Sequence, residues 1–358
     1  MKPEEKMEFY RKKILDEITR ISKDQIAFAQ EQSSSNIDFM NITNEYLKNS
    51  GKMLRGLLIV TTYEAIKGKV DDEIFKAAAS IEICQSYLLA HDDIADEAAV
   101  RRGEPSYHYR TIDLFKQRNS SLENLAPDSN LNIGLGIVGG DYLDALAQEI
   151  LCDVNLEPEN ILKAVCAYSV TLKKTGYGQV LDILSGVTPM DKISENDIKA
   201  IHRLKTASYT LIYPLQCGCY LAGGSQEHIK YLSEFGDKVG RGFQIVDDIL
   251  GSGLIEDESD KTKNDIEEGK KTLLLLETWK KAEEVRPIID RLGKEGVSEE
   301  EIELVKQAMR DVNAVEKSWE EAERLLEEGL AALNSIELLP EGKEFLEYVA
   351  HRLIHRKK

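Results

Sequence analysis

The stretch from 69 to 102 contains neither glycine nor proline, and this most limits what the chain can become. Apolar side chains at Ile81, Cys84, Leu88 and Ala95 recur at helical intervals, predicting one long helix over about 71–102. Asp71 and Asp72 suit its first turn, and Gly103 suits its end. On such a helix Asp92 and Asp96 lie four apart and share a face, with Asp93 beside them. Three carboxylates this close repel one another and need a counter-charge if half buried. Arg101 and Arg102 follow within a few residues. A hard cation on the acids, next to a pair of guanidiniums, makes a receptor for a polyphosphate. Taken alone, the trio also reads as a solvated acidic face with a basic end. The apolar sequence before it weighs against full solvation.

No stretch of the chain alternates as a strand does, so the expected fold class is all-α. The net charge of −18 argues against nucleic acid as a partner, because phosphate backbones need a basic surface. Local clusters of Arg and Lys with metal still suit small phosphate-bearing molecules. The five cysteines (84, 152, 166, 217 and 219) form no Cys-x-x-Cys pair and sit mostly in apolar company. They read as reduced core thiols of a cytoplasmic protein. The start, Met1-Lys-Pro-Glu-Glu-Lys6, is too charged for a signal peptide, and no apolar run approaches membrane-spanning length.

Residues 5–30 alternate charge with Phe9, Ile14, Ile18, Ile21 and Ile26/Phe28, an amphipathic helix broken at Gln32-Ser-Ser-Ser-Asn36. Gly51-Lys52-Met-Leu-Arg55 then precedes an apolar helix, a weak pattern for an anion site. The segment 109–132 is mostly polar and reads as a loop. Gly178-Gln179-x-x-Asp182 lies in a helix from Ile161 to about Val187, where the glycine permits close packing. Lys205-Thr206 interrupts another apolar helix, and an inward lysine there needs an anionic partner unless it snorkels outward. A second acid pair, Asp247-Asp248, ends an apolar helix over Gln226–Leu250, followed by a loop with Lys261, Asp265, Lys270 and Lys271. Two such pairs suggest one active site at the mouth of an apolar cavity. A diphosphate head with a hydrocarbon tail fits that chemistry.

These pieces, in this order and spacing, resemble the trans-isoprenyl diphosphate synthases, the polyprenyl synthetase family. The anchors are Gly51-Lys52-x-x-Arg55, Gln85, Asp92-Asp93-x-x-Asp96, Arg101-Arg102-Gly103-x-Pro105-x-x-His108, Gly140-Asp141, Gly178-Gln179-x-x-Asp182, Lys205-Thr206, Phe243-Gln244-x-x-Asp247-Asp248 and Lys261-x3-Asp265-x4-Lys270. The resemblance implies an isoprenoid-synthase helix bundle around a central apolar cavity, one domain over 1–358, with 109–132 as a loop insertion and 272–358 as its C-terminal helices. It implies condensation of isopentenyl diphosphate with an allylic diphosphate. By resemblance, Asp92, Asp93, Asp96, Asp247 and Asp248 form the magnesium-binding acids, with three ions expected. Arg101, Lys205, Thr206, Gln244, Lys261 and Lys270 would serve the allylic diphosphate, and Lys52, Arg55, Gln85 and Arg102 the isopentenyl one. His91 and His108 need no chemical role. The resemblance also implies a homodimer.

Tyr87 and Leu88 stand five and four positions before Asp92, where the family sets the floor of its hydrocarbon pocket. One aromatic at the fifth position resembles the archaeal-type short-chain enzymes that stop at geranylgeranyl diphosphate; farnesyl or longer products are the alternatives. Two departures stand out: Gly251 replaces a third Asp, and Gly56 replaces a proline. A class I terpene cyclase would not need the Lys52, Arg55, Gln85 and Arg102 set. A non-catalytic partner subunit would be expected to have lost acids from its motifs.

Overall fold

The computed structural model describes residues 2–48, 51–122, 124, 126, 129–255, 265–293 and 296–356. The chain divides into two compact units, Met1–Val165 and Cys166–Lys358. The first opens with α1 (Pro3–Gln32), α2 (Ser34–Lys48), α3 (Leu54–Lys67) and α4 (Ile74–Ala95). As the pattern suggests, α1 is amphipathic, with Ile14, Ile18 and Ile21 on its inner face, but Phe9 and Phe28 stay outside at 47% and 58% exposure. The α4 surface is buried nearly all round because α1, α3 and the later α7 all pack against it.

The long helix expected over 71–102 is shorter than its pattern, ending at Ala95. Asp96 is the C-cap and Glu97 takes a left-handed conformation (φ 53°). The Glu97 and Ala98 amides bond back to the carbonyls of Ile94 and Asp93, at 3.3 and 2.8 Å. This is a Schellman stop, in which glycine is the usual signal. Glutamate holds that position here, so the sequence concealed the end. Two minimal strands follow, β1 (Val100–Arg101) and β2 (Glu104–Pro105), joined through Arg102 (φ 56°) and Gly103 (φ 75°). Two successive positive φ values make the tight hairpin turn that suits strand twist. Arg101 and Arg102 therefore belong to a hairpin, not a helix.

The expected loop at 109–132 is also partly helical, with α5 (Tyr107–Arg110) and α6 (Ile112–Arg118). The next helix, α7 (Asn130–Cys152), starts inside that segment, capped by Ser129. Gly139 of α7 lies against Tyr107, where a Cβ would come within 2.3 Å of the ring. Tyr107 in turn bonds Thr43 (2.8 Å) and meets Tyr46 edge-on at 5.1 Å, tying α2, α5 and α7 together.

α8 (Pro158–Val187) runs through the boundary between the units. The second unit continues with α9 (Glu195–Ile201), a π-helical stretch His202–Ile212, α10 (Tyr213–Leu221) and α11 (Gln226–Gly251). Pro214 has no N–H to offer and its ring crowds the carbonyl four residues back, which a widened coil relieves. Then come α12 (Leu273–Lys281), α13 (Arg286–Ile289), α14 (Glu299–Asp311), α15 (Ala314–Leu333) and α16 (Pro340–Ile354). Ser298 caps α14 reciprocally with Glu301, as its position after Gly296 suggests. The core of this unit forms where α11 packs on α15, α16 and the π-helical stretch. Cys84, Cys217 and Cys219 are buried as expected, but Cys152 and Cys166 are exposed. No helix among the described residues is long and apolar enough to cross a membrane.

Candidate active site

In the first unit, Gln85, Leu89, Asp92 and Asp96 fall at helical spacing on one face of α4. Asp96 is exposed, Asp92 is 21% exposed, and Asp93 turns wholly inward. The hairpin brings Arg101 back over them. Its Nε donates to Asp93 Oδ1, and its Nη2 to Asp92 Oδ2 at 3.3 Å. The other Asp93 oxygen, Oδ2, is buried without a hydrogen-bond partner among the described residues. Burial pushes the Asp93 carboxyl up to about 6, against the pull of Arg101, with Asp92 and Asp96 adding to the rise.

A cavity on the same side of α4 is lined by Gln85, Arg101, Arg102 and Arg110, with Tyr46, Ser86 and Leu89. Gly51 lies against Arg102: a Cβ there would stand 3.0 Å from its Nη1. Gly51 and Arg102 are thus neighbours. Arg55 is buried, while Lys52 is exposed and does not line the cavity. Sequence reasoning missed Arg110 and Tyr46. The Arg110 guanidinium lies 5.9 Å from the Tyr46 ring centroid and its Nε donates to the Pro105 carbonyl at 2.8 Å.

Glu82 was also missed. It is a fully buried carboxylate one turn before Gln85, and it accepts from the Gly56 amide at 2.7 Å. Burial raises its carboxyl, opposed by the nearby Arg55 and Arg102 charges and the Gly56 and Arg55 amides. The Gly56 departure now has a meaning, since proline could not donate that bond. A lone acid inside Ala77-Ala-Ala-Ser-Ile-Glu82-Ile-Cys84 was the available signal.

Tyr87 and His91 occupy a different face of α4, toward α7. Their rings meet edge-on at 5.0 Å, and His91 Nε2 lies 3.1 Å from the Ile137 carbonyl. Gly140 makes room for that imidazole, since a Cβ would approach it to 2.2 Å. The Tyr87 hydroxyl is pushed up to about 12, chiefly by burial and then by Asp144. Leu88 is half-buried beside it. His108 is buried, and burial pushes its imidazole down toward the neutral form.

In the second unit, α11 delivers Asp247 and Asp248 in its last turn. Asp248 is buried and accepts from Gln244 Nε2 (2.9 Å) and Lys270 Nζ (3.0 Å), with His202 Nε2 at 3.0 Å. Thr206 Oγ1 donates to the Gln244 carbonyl oxygen at 2.7 Å, so four predicted residues join one network. Burial opposes ionisation at Asp248, yet Lys270 and His202 hold its carboxyl well below the usual range. Asp247 is 34% exposed and receives Arg356 Nη1 at 2.5 Å. Burial raises its carboxyl, against Arg356. Lys205 finds the anion its inward position demands, Asp182 at 2.5 Å. Lys261 lies outside the described residues.

The Gly251 departure has a steric cause. A Cβ there would lie 2.3 Å from Asp265 Oδ2, so the Asp265 carboxylate fills the space a third aspartate would need. Lys270 bridges Asp265 and Asp248, at 3.3 and 3.0 Å. Gly178 works similarly, for a Cβ would sit 2.2 Å from the Lys205 amide nitrogen. Gly178→Ala should cost about 1–3 kcal/mol through that overpacking, read as a lower urea midpoint. Asp248→Asn should cost about 1.5–3 kcal/mol, because it removes the charged acceptor that Gln244, His202 and Lys270 share while Lys270 keeps Asp265. The Asp248 contribution is present above pH ~4, the unfolded carboxyl range, and is lost as pH falls through the depressed folded pKa. Wild type and Asp248→Asn should therefore converge in stability in strong acid.

Both acid sets stand at helix C-termini, the negative end of the helix dipole, and neither last turn carries a base. Such ends favour a cation. Among the described residues no three His, Cys, Asp or Glu side chains converge as a ready cage. Magnesium characteristically takes one or two carboxylates and completes its octahedron with water and phosphate oxygens. The buried, unpartnered Asp93 oxygen and the all-oxygen donor set fit that ion.

The helix order and the acid motifs at the ends of α4 and α11 define the all-α isoprenoid-synthase class of fold. The chain belongs to the polyprenyl synthetase family, whose model matches residues 38–312. It is 30% identical over 320 residues to the geranylgeranyl diphosphate synthase of Saccharolobus solfataricus, covering 86% of this chain and 87% of the relative. It is 29% identical to the geranylfarnesyl diphosphate synthase of Aeropyrum pernix, covering 90% and 98%. A solved geranylgeranyl pyrophosphate synthase from Corynebacterium glutamicum, complexed with isoprenyl diphosphate and magnesium, superposes with TM-score 0.86 at 27% identity, covering 100% of both chains.

Proposed function

We propose that the protein condenses isopentenyl diphosphate with an allylic diphosphate, head to tail, to give geranylgeranyl diphosphate. The observation that carries this is the cavity lined by Gln85, Arg101 and Arg102 beside the acid end of α4, in a chain whose α11 ends in a second acid pair; a cyclase, with one diphosphate to bind, would not need the Lys52, Arg55, Gln85 and Arg102 set. Asp92, Asp96 and Asp247 would hold magnesium, three ions with the help of Asp93 and Asp248, and the ion when bound supplies Lewis-acid charge to the leaving diphosphate. Arg101, Lys205, Thr206, Gln244, Lys261 and Lys270 orient that diphosphate. Lys52, Arg55, Gln85 and Arg102 hold isopentenyl diphosphate, with Glu82 fixing Arg55 and the start of α3. The allylic C–O bond breaks, the isopentenyl double bond attacks the cation, and the released diphosphate takes the proton. An apolar lining keeps water from the cation. His91, packed between Tyr87 and α7, is given no chemical step.

We also infer a homodimer of one-domain chains in the cytoplasm. Leu162, Val170, Tyr177, Val180, Leu184 and Val187 form an exposed stripe at helical spacing on α8, more apolar surface than a lone helix face leaves in water. Relatives named for longer products make chain length the open variable of the assay. Incubation with magnesium, isopentenyl diphosphate and dimethylallyl, geranyl or farnesyl diphosphate should give a twenty-carbon product by mass spectrometry. A longer or fifteen-carbon end product would overturn the geranylgeranyl assignment and leave the reaction class intact.

A further inference from the structure

The C-terminal residues place a permanent cation on the acid that the proposed function needs for metal. Gly242 lets Ile354 at the end of α16 approach α11 closely, since a Cβ there would lie 2.9 Å from Ile354 Cδ1. His351 and His355 stack at 5.5 Å, and His355 Nε2 is anchored to Glu323 Oε1 at 2.7 Å. The next residue is Arg356. Its guanidinium lies over the Phe243 ring at 4.4 Å and reaches Asp247 Oδ1 at 2.5 Å. Contact with the α11 ring, one turn before the acid, thus aims the charge along the helix. Asp247 stands at the negative end of the α11 dipole beside a second carboxylate, so a cation there is strongly favoured.

We propose that Arg356 is a tethered counter-cation that occupies Asp247 until divalent metal and diphosphate displace it. This rests on the proposed function, because it takes Asp247 as a metal acid. A guanidinium keeps its charge throughout the working pH range, so the competition is set by geometry and metal concentration alone. The aromatic platform matters too, for stacking holds the planar group better than a lysine ammonium would be held. The tail becomes a gate on metal entry: it keeps the acid pair neutralised in the free protein and must leave Asp247 before magnesium takes that oxygen.

The test is magnesium titration of the full chain in saturating inorganic pyrophosphate, read by calorimetry and by thermal unfolding, with no turnover involved. Arg356→Ala should shift the half-saturating magnesium concentration down by about tenfold, the scale of one charge-assisted hydrogen bond. Arg356→Lys should fall between it and the wild type. Without metal, Arg356→Ala should unfold at a lower temperature than wild type, and saturating magnesium should close that gap. An unchanged or higher half-saturating concentration in Arg356→Ala overturns the gate while leaving the enzyme assignment standing. A wild type with no saturable magnesium response in pyrophosphate overturns the assignment itself, and the gate with it.

Discussion

Asp247→Ala and Asp92→Ala are each expected to lower the condensation rate by roughly 10³-fold or more while leaving the fold intact. Both side chains are partly exposed, 34% and 21%, and sit at helix ends, so truncation costs ion pairs with Arg356 and Arg101 rather than core packing. Their removal takes charge from the position where a cation is most favoured. Asp248 stands one residue away and its loss is expected to lower stability as well, since its carboxylate is buried in bonds to Gln244 and Lys270. Steady-state rates across a magnesium series, paired with urea unfolding, separate the two kinds of acid. Wild-type activity in Asp247→Ala would remove the motif from the chemistry.

Tyr87→Ala is expected to lengthen the product by about one five-carbon unit, because a filled volume limits how far a bound chain can grow. The ring is fixed on one side by His91, which Gly140 and the Ile137 carbonyl hold in place. As the proposed floor of the hydrocarbon pocket, a ring held this way would not yield to a growing chain. Tyr87→Phe is the control: the hydroxyl is already uncharged and partly buried, so keeping only the ring should keep the product length. Mass spectrometry of products from both variants decides the matter. An unchanged distribution in Tyr87→Ala removes the floor role.

The sequence carried the helices well, because 3.6-residue periodicity records which face is buried: α8 and α11 stand close to where the pattern put them, and α4 starts near its expected place. It lost the end of α4 because Glu97 adopts the conformation that glycine normally advertises. The polar composition of 109–132 likewise hid α6, a short helix whose stability comes from neighbours rather than its own residues. For the site, the motifs pointed to Gln244, Thr206, Lys270 and Asp248, which the structure joins into one network. Spacing could not show that Asp93 turns inward to Arg101, that Asp265 fills the space beside Gly251, or that Arg356 arrives from far along the chain. Those facts belong to tertiary packing, and no local pattern encodes them.

Release of diphosphate by the wild-type protein, in magnesium, with each substrate alone and with both together, tests condensation most directly. Condensation predicts rapid release only when isopentenyl diphosphate and an allylic diphosphate are both present, one diphosphate per bond formed. Equal release from the allylic substrate alone would make the protein a cyclase or hydrolase. No release from any combination by folded protein would contradict catalysis by this chain altogether.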